Sequence, residues 1–159
     1  MSAGGPHRLR PAKDLERFYT TVVQPALDQF VSQPGFEEVC RAWVLDRVDA
    51  GAWSGIDRVG AWWGPVPAPT PEHPRRQAEA ELEVVGAAGN RVILAGEAKW
   101  TRDPVGFRVL NHLREVVRHL PGADERTELV LFGRAFETRL QERAAEEGAR
   151  LVSAADLYS

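Results

Sequence analysis

The sequence predicts an α/β domain, with a central mixed sheet of about five strands flanked by helices. Two observations carry that prediction. Apolar residues recur at helical spacing in some segments and run or alternate at strand spacing in shorter ones. The order of these segments is helix, three strands, helix, strand, helix, strand, and strands mixed with crossover helices call for helices on both faces of a sheet. At 159 residues and 43% apolar content, the chain suits a single core.

Residues 1 to 12 read as an arm. From Asp14 to Phe30 the apolar positions Leu15, Phe18, Val22, Val23, Leu27 and Phe30 follow a helical period, with Pro25 as a kink. "SQPG" at 32–35 breaks the chain. The first 34 residues thus form an arm and helix, and residues 35–159 form the main domain. "FEEVCRAWVLDRV" (36–48) is the first helix of that domain, with Phe36, Val39, Cys40, Trp43, Val44 and Arg47 on one stripe. Glu37 lies on the flank of the stripe, and Glu38 points away from it.

"RVGAWW" (58–63) reads as a strand, in which one of Trp62 and Trp63 is buried and the other open. "GPVPAPTPEHPRRQ" (64–77) holds five of the eleven prolines and reads as a loop. "AELEVV" (80–85) and "RVILAGEAKW" (91–100), joined by "GAAGN", form a hairpin. "RDP" supplies a helix start, with Asp103 as N-cap and Pro104 in the first turn. The helix that follows presents Val105, Val109, Leu113, Val116, Val117 and Leu120. "ELVLF" (128–132) is a short buried strand. "AFETRLQERAAEEGA" is an amphipathic helix closed by Gly148. "RLVSA" is the last strand, and "ADLYS" a terminal turn.

The net charge of −3 gives no global nucleic-acid signature, so a basic surface must be local. One cysteine, Cys40, precludes an internal disulfide. There is no apolar signal-like leader and no long apolar run. A soluble cytoplasmic protein is expected. No metal-ligand spacing links Cys40 with His7, His73, His112 and His119, and no G-x-S-x-G occurs, so a zinc site and an acyl-transfer enzyme are not expected.

Two lysines stand against eighteen arginines, and one of them is Lys99 in "GEAKW". Glu97 and Lys99 share a strand face. Such a pair is ordinarily solvated and worth under about 1 kcal/mol. Here it emerges from the apolar run Val92–Ala95, and the adjoining strand is acidic at Glu81 and Glu83, which are expected on one face. Two converging carboxylates repel unless a proton or a cation intervenes. Mg²⁺ or Mn²⁺ accepts a few carboxylate oxygens and retains waters, and such an ion activates water against a phosphate. Lys99 would orient that water or stabilise charge in the transition state.

With these residues in place, the chain resembles the PD-(D/E)XK nuclease superfamily, whose restriction-endonuclease-like core runs αβββαβ. A further helix and strand follow here. Within that superfamily the segments "LDQFVSQPGFEEVCRAWV", "VGAWWG", "AELEVVG" and "LAGEAKWTRDPVG" resemble the C-terminal nuclease-like domain of archaeal-type DEXX-box ATPases, a family of unknown function. The resemblance implies metal binding by Glu83 and Glu97, with the Ala98 carbonyl as a further ligand. It implies assistance to the attacking water by Lys99 and support from Glu37. Glu83 stands where the family has Asp, one methylene longer. Ala61 stands where Arg is expected.

Arg75 and Arg76 in the Pro-rich loop, and Arg102 after the E-x-K strand, are candidate phosphate contacts. The implied activity is hydrolysis of phosphodiester bonds, in DNA. No G-x-x-x-x-G-K-[ST] occurs, so a P-loop ATPase would be a separate chain. The alternative is a catalytically weak or inactive nuclease-fold module that partners such an ATPase.

Overall fold

The computed structural model describes residues 34–159. The expected arm and its helix lie outside the described residues. Nine elements follow one another: α1 (Pro34–Asp49), β1 (Arg58–Pro67), β2 (Gln77–Ala88), β3 (Arg91–Lys99), α2 (Phe107–Val117), β4 (Glu128–Gly133), α3 (Thr138–Arg143), β5 (Ala149–Ser153) and α4 (Ala154–Tyr158). The five strands form one sheet in sequence order. β1, β2 and β3 are antiparallel, and β4 and β5 run parallel to β3. The sheet is mixed because α2 and α3 serve as crossovers, which only parallel neighbours require.

Two cores cover the two faces. Under α1, Phe36, Val39, Cys40, Trp43 and Val44 pack with Val59, Val84, Leu94, Val130, Phe132 and Val152, and α4 adds Leu157. On the other face, Leu110, Leu113 and Val116 of α2 and Leu140 of α3 pack with Leu82, Val92, Ala95 and Leu131. β4 serves both, with Leu131 on one side and Val130 and Phe132 on the other, so its apolar run is continuous. The stripe on α1 matches its expected composition. Arg47 closes it by stacking on Trp43, its guanidinium 4.9 Å from the ring centre.

Several element boundaries differ from those expected. β1 continues through Pro65 and Pro67, and only residues 68–76 form the loop. β1 is an edge strand, so prolines without an N–H are tolerated there. The β2–β3 loop contracts from five residues to Gly89-Asn90, because Ala88 pairs with Arg91 and Gly89 takes φ +60°. α2 starts at Phe107 with Gly106 as N-cap, not at Asp103 and Pro104. The reason is that the Val105 backbone is already committed. Its N–H donates to Ala135 O (2.9 Å), and its carbonyl accepts from Glu137 N (2.9 Å). Consequently Leu110, rather than Val109, is fully buried on α2. α3 spans only six residues, since residues 135–137 are held by that bridge and the chain turns at Gly148 (φ +73°) to enter β5. The terminal turn is the short helix α4, closed by a Ser153–Asp156 capping box.

Among the described residues no helix is long and apolar enough to cross a membrane.

Candidate active site

The site forms where β2 and β3 separate. Their ladder ends at Val84↔Gly96, and beyond it Glu97, Ala98 and Lys99 pair only with β4. Gly96 sits at this divergence because β3 and β4 approach closely: a Cβ there would lie 2.7 Å from the Val130 carbonyl oxygen. On β2 a bulge occurs at the same level. Gly60 pairs with Val85 and Trp62 with Leu82, so Ala61 alone spans Glu83 and Val84. The bulge breaks strand alternation. Leu82 packs in the α2 core and Val84 in the α1 core. Glu81 and Glu83 nevertheless differ in burial: Glu81 is exposed, whereas Glu83 is buried.

The Glu83 side chain bridges the opened strands. Its Oε1 accepts from the Ala98 N–H at 2.8 Å, and its own carbonyl accepts from Arg41 Nη1 at 2.6 Å. An extended residue sends its N–H and C=O to the same strand edge. The Ala98 carbonyl therefore emerges on the β2 side, beside Glu83. Burial pushes the Glu83 carboxyl up to about 7, and the Glu97 and Glu37 charges add to this while the Ala98 N–H and Lys99 oppose it.

Glu97 is 2% exposed, the most deeply buried charge described. Its Oε1 is 2.7 Å from His112 Nδ1, and its Oε2 is 3.5 Å from Lys99 Nζ. Glu97 and Lys99 thus do share a face, as alternation requires. The Lys99 side chain remains 43% exposed and reaches from the buried carboxylate to solvent. Glu37 lies half-buried on α1, one turn before Arg41. Burial raises its carboxyl above the ordinary value. Glu81 adds to that, and Arg41 and Lys99 oppose it, which places Glu37 within electrostatic reach of the site. Glu38 is half-buried as well.

Two contributors were absent from the candidates drawn from sequence. Arg41 is four residues from Glu37 on the same helix flank, and that spacing was the available signal. His112 adjoins core residue Leu113 on α2. Its link to Glu97 spans a crossover, so nothing in its own neighbourhood of sequence announces it.

The candidate phosphate contacts are distributed unequally. Arg102 is exposed in the loop three residues beyond Lys99. Arg75 and Arg76 sit at the tip of the β1–β2 ribbon, where Arg76 Nη1 donates to Ala68 O at 3.0 Å. Arg76 is seven residues along β2 from Glu83, about 24 Å of strand. The Pro-rich loop is thus distant from the carboxylates along the ribbon rather than beside them. Trp63 is 61% exposed and Trp62 packs against the α2 core, one open and one covered as alternation requires.

Among the described residues no three His, Cys, Asp or Glu side chains converge into a metal cage. The oxygen donors present are two carboxylates and a strand carbonyl. This set suits a hard ion that keeps several waters, Mg²⁺ or Mn²⁺, and not zinc.

These residues fall largely within a recognised family. Residues 7–114 match the model for DUF234, described as archaea bacterial proteins of unknown function, and the chain belongs to that family. The matched span ends just after His112 and includes both carboxylates and Lys99. No curated protein and no solved structure matches the chain.

Proposed function

We propose that this domain is a metal-dependent nuclease of PD-(D/E)XK type that hydrolyses phosphodiester bonds in DNA. The observation that carries this reading is the pair Glu83 and Glu97. Two buried carboxylates from separate strands lie within electrostatic reach of each other where the sheet opens, and a lysine that reaches solvent pairs with one of them. Burying two acids together is costly. A fold under no functional demand would place apolar side chains there.

Glu83, Glu97 and the Ala98 carbonyl would hold Mg²⁺ or Mn²⁺. When bound, the ion supplies positive charge against the phosphate and acidifies water. The chain's own residues provide the remainder. Glu97 is held by His112 through Oε1, which fixes the direction of its second oxygen. Arg41 anchors the bulge from which Glu83 projects, so the longer side chain keeps a defined position. Lys99 places an ammonium at the mouth of the site, where it orients the attacking water and offsets charge developing on the phosphate. Glu37 stands at the α1 side and shapes the local potential.

The test is cleavage of single-stranded, duplex and branched DNA with Mg²⁺ or Mn²⁺. The expected result is metal-dependent product formation that Lys99→Ala reduces at least about 100-fold. Equal product from wild type and Lys99→Ala would overturn the nuclease reading. It would favour instead the alternative role, an inactive nuclease fold serving a P-loop ATPase chain.

A further inference from the structure

A cavity of about 520 Å³ adjoins the carboxylate site and shares Lys99 with it. Its walls come from the loop after β3, the start of α2 and the start of α3, including Thr101, Phe107, Arg108 and Arg139. Sequence patterning does not single it out, because Arg139 is forty residues from Lys99 and enters through the Val105–Phe136 bridge.

We infer that this cavity binds a backbone phosphate of the nucleic-acid strand, adjacent to the one being cut. Three cations line it: Lys99, Arg108 and Arg139. Among the described residues Arg108 and Arg139 make no ion pair, in contrast to Arg114 with Glu147 and Arg150 with Glu128. Arg139 is held in place by an aromatic wall, its guanidinium 5.4 Å from the Phe107 ring centre. Stacking restrains the flat face and leaves the N–H edge for an anion.

Two acids also line the cavity, Asp103 and Glu137. The Glu137 carboxylate lies against Gly106, where a Cβ would overlap it. This places it at the N-terminal end of α2. The Thr101 hydroxyl is turned to the Asp103 carbonyl at 2.8 Å. The lining carries three cations against these two acids, and it is continuous with the site through Lys99. Arg102, between Thr101 and Asp103, adds an exposed cation at the rim.

The inference rests on the nuclease reading for the identity of its ligand, but its test is binding and not cleavage. A fluorescently labelled 12-nucleotide oligothymidylate is titrated with the full chain in metal-free buffer over a range of salt concentrations. Arg108→Gln and Arg139→Gln are each expected to weaken binding about threefold to tenfold and to reduce the salt slope by roughly one phosphate contact. Arg150→Gln, on the far edge strand, is expected to bind as wild type. Both arginines are exposed, so unchanged melting temperatures verify that the variants fold. Wild-type affinity and slope in both variants would overturn the inference, as would absence of oligonucleotide binding by wild type. Equal displacement by thymidine 5′-monophosphate at matched phosphate concentration would overturn it too, indicating a site for a free phosphate ester. If the variants weaken binding but wild type cuts no DNA with metal, the subsite stands and the nuclease reading fails.

Discussion

At the residue scale, the site turns on carboxylates whose charge the fold makes costly. Glu83 titrates near 7 in the fold, against the ordinary carboxylate range in the unfolded chain, because burial disfavours its ionised form. The folded state therefore binds more protons across that window. Stability of the metal-free protein is fully present below the unfolded value and falls as pH rises toward 7, by on the order of 2–3 kcal/mol. Urea unfolding at successive pH values checks this, and Glu83→Gln is expected to flatten the profile. His112 offers a second test. It touches Glu97 and does not line the adjoining cavity, so His112→Ala is expected to weaken metal affinity and activity about tenfold or more. Calorimetric titration with Mn²⁺ reads the affinity directly. An unchanged affinity would assign His112 a merely structural contact. The Glu97–Lys99 pair was legible in sequence from strand alternation alone. The Glu97–His112 contact was not, since it joins residues fifteen apart across a loop whose path is set by the Val105 bridge.

At the element scale, the strands supply what the site requires by ceasing to pair. β2 bulges opposite Ala61, and β3 departs from β2 after Gly96, which rests almost on the Val130 carbonyl. Gly96→Ala is expected to cost about 1–3 kcal/mol through overpacking against backbone that cannot yield. It should also reduce metal-induced stabilisation, because Glu97 follows directly. Chemical denaturation with and without Mg²⁺ separates the two effects. The periodicity of α1 and the apolar run of β4 identified their elements well, because the stripe of α1 and most of β4 are buried and packing reinforces local pattern. The ends of α2 and α3 were misjudged because their boundaries answer to a long-range bridge. Propensity placed the start of α2 at Asp103 and Pro104. Hydrogen bonds from Val105 to residues 135–137 moved it to Phe107.

At the scale of the whole molecule, two cores cover a sheet that opens at one end between its inner strands β2 and β3. Phe132 is fully buried near the end of β4 and packs edge-on to Trp43, with ring centres 6.0 Å apart. Phe132→Ala is expected to destabilise the fold by about 3–5 kcal/mol, measured by urea denaturation. Ligand linkage gives a global test of the site. A cation that binds Glu83 and Glu97 must compete with the Glu83 proton, so the rise in melting temperature on adding Mg²⁺ should grow as pH passes through 7. A rise independent of pH, or equal in Glu97→Ala, would place the ion elsewhere.

The sequence by itself determined the order of elements, the α/β class and the identity of the E-x-K pair, because each follows from a period of 2 or 3.6 that local backbone geometry enforces. The tertiary structure alone decided that Glu83 is buried while Glu81 stays exposed, that Arg41 and His112 attend the two carboxylates, and that Arg139 faces the same cavity as Lys99. Those facts depend on a bulge, a splayed ladder and a loop bridge. Each arises where distant segments compete for the same backbone groups, and no local pattern encodes the outcome of that competition.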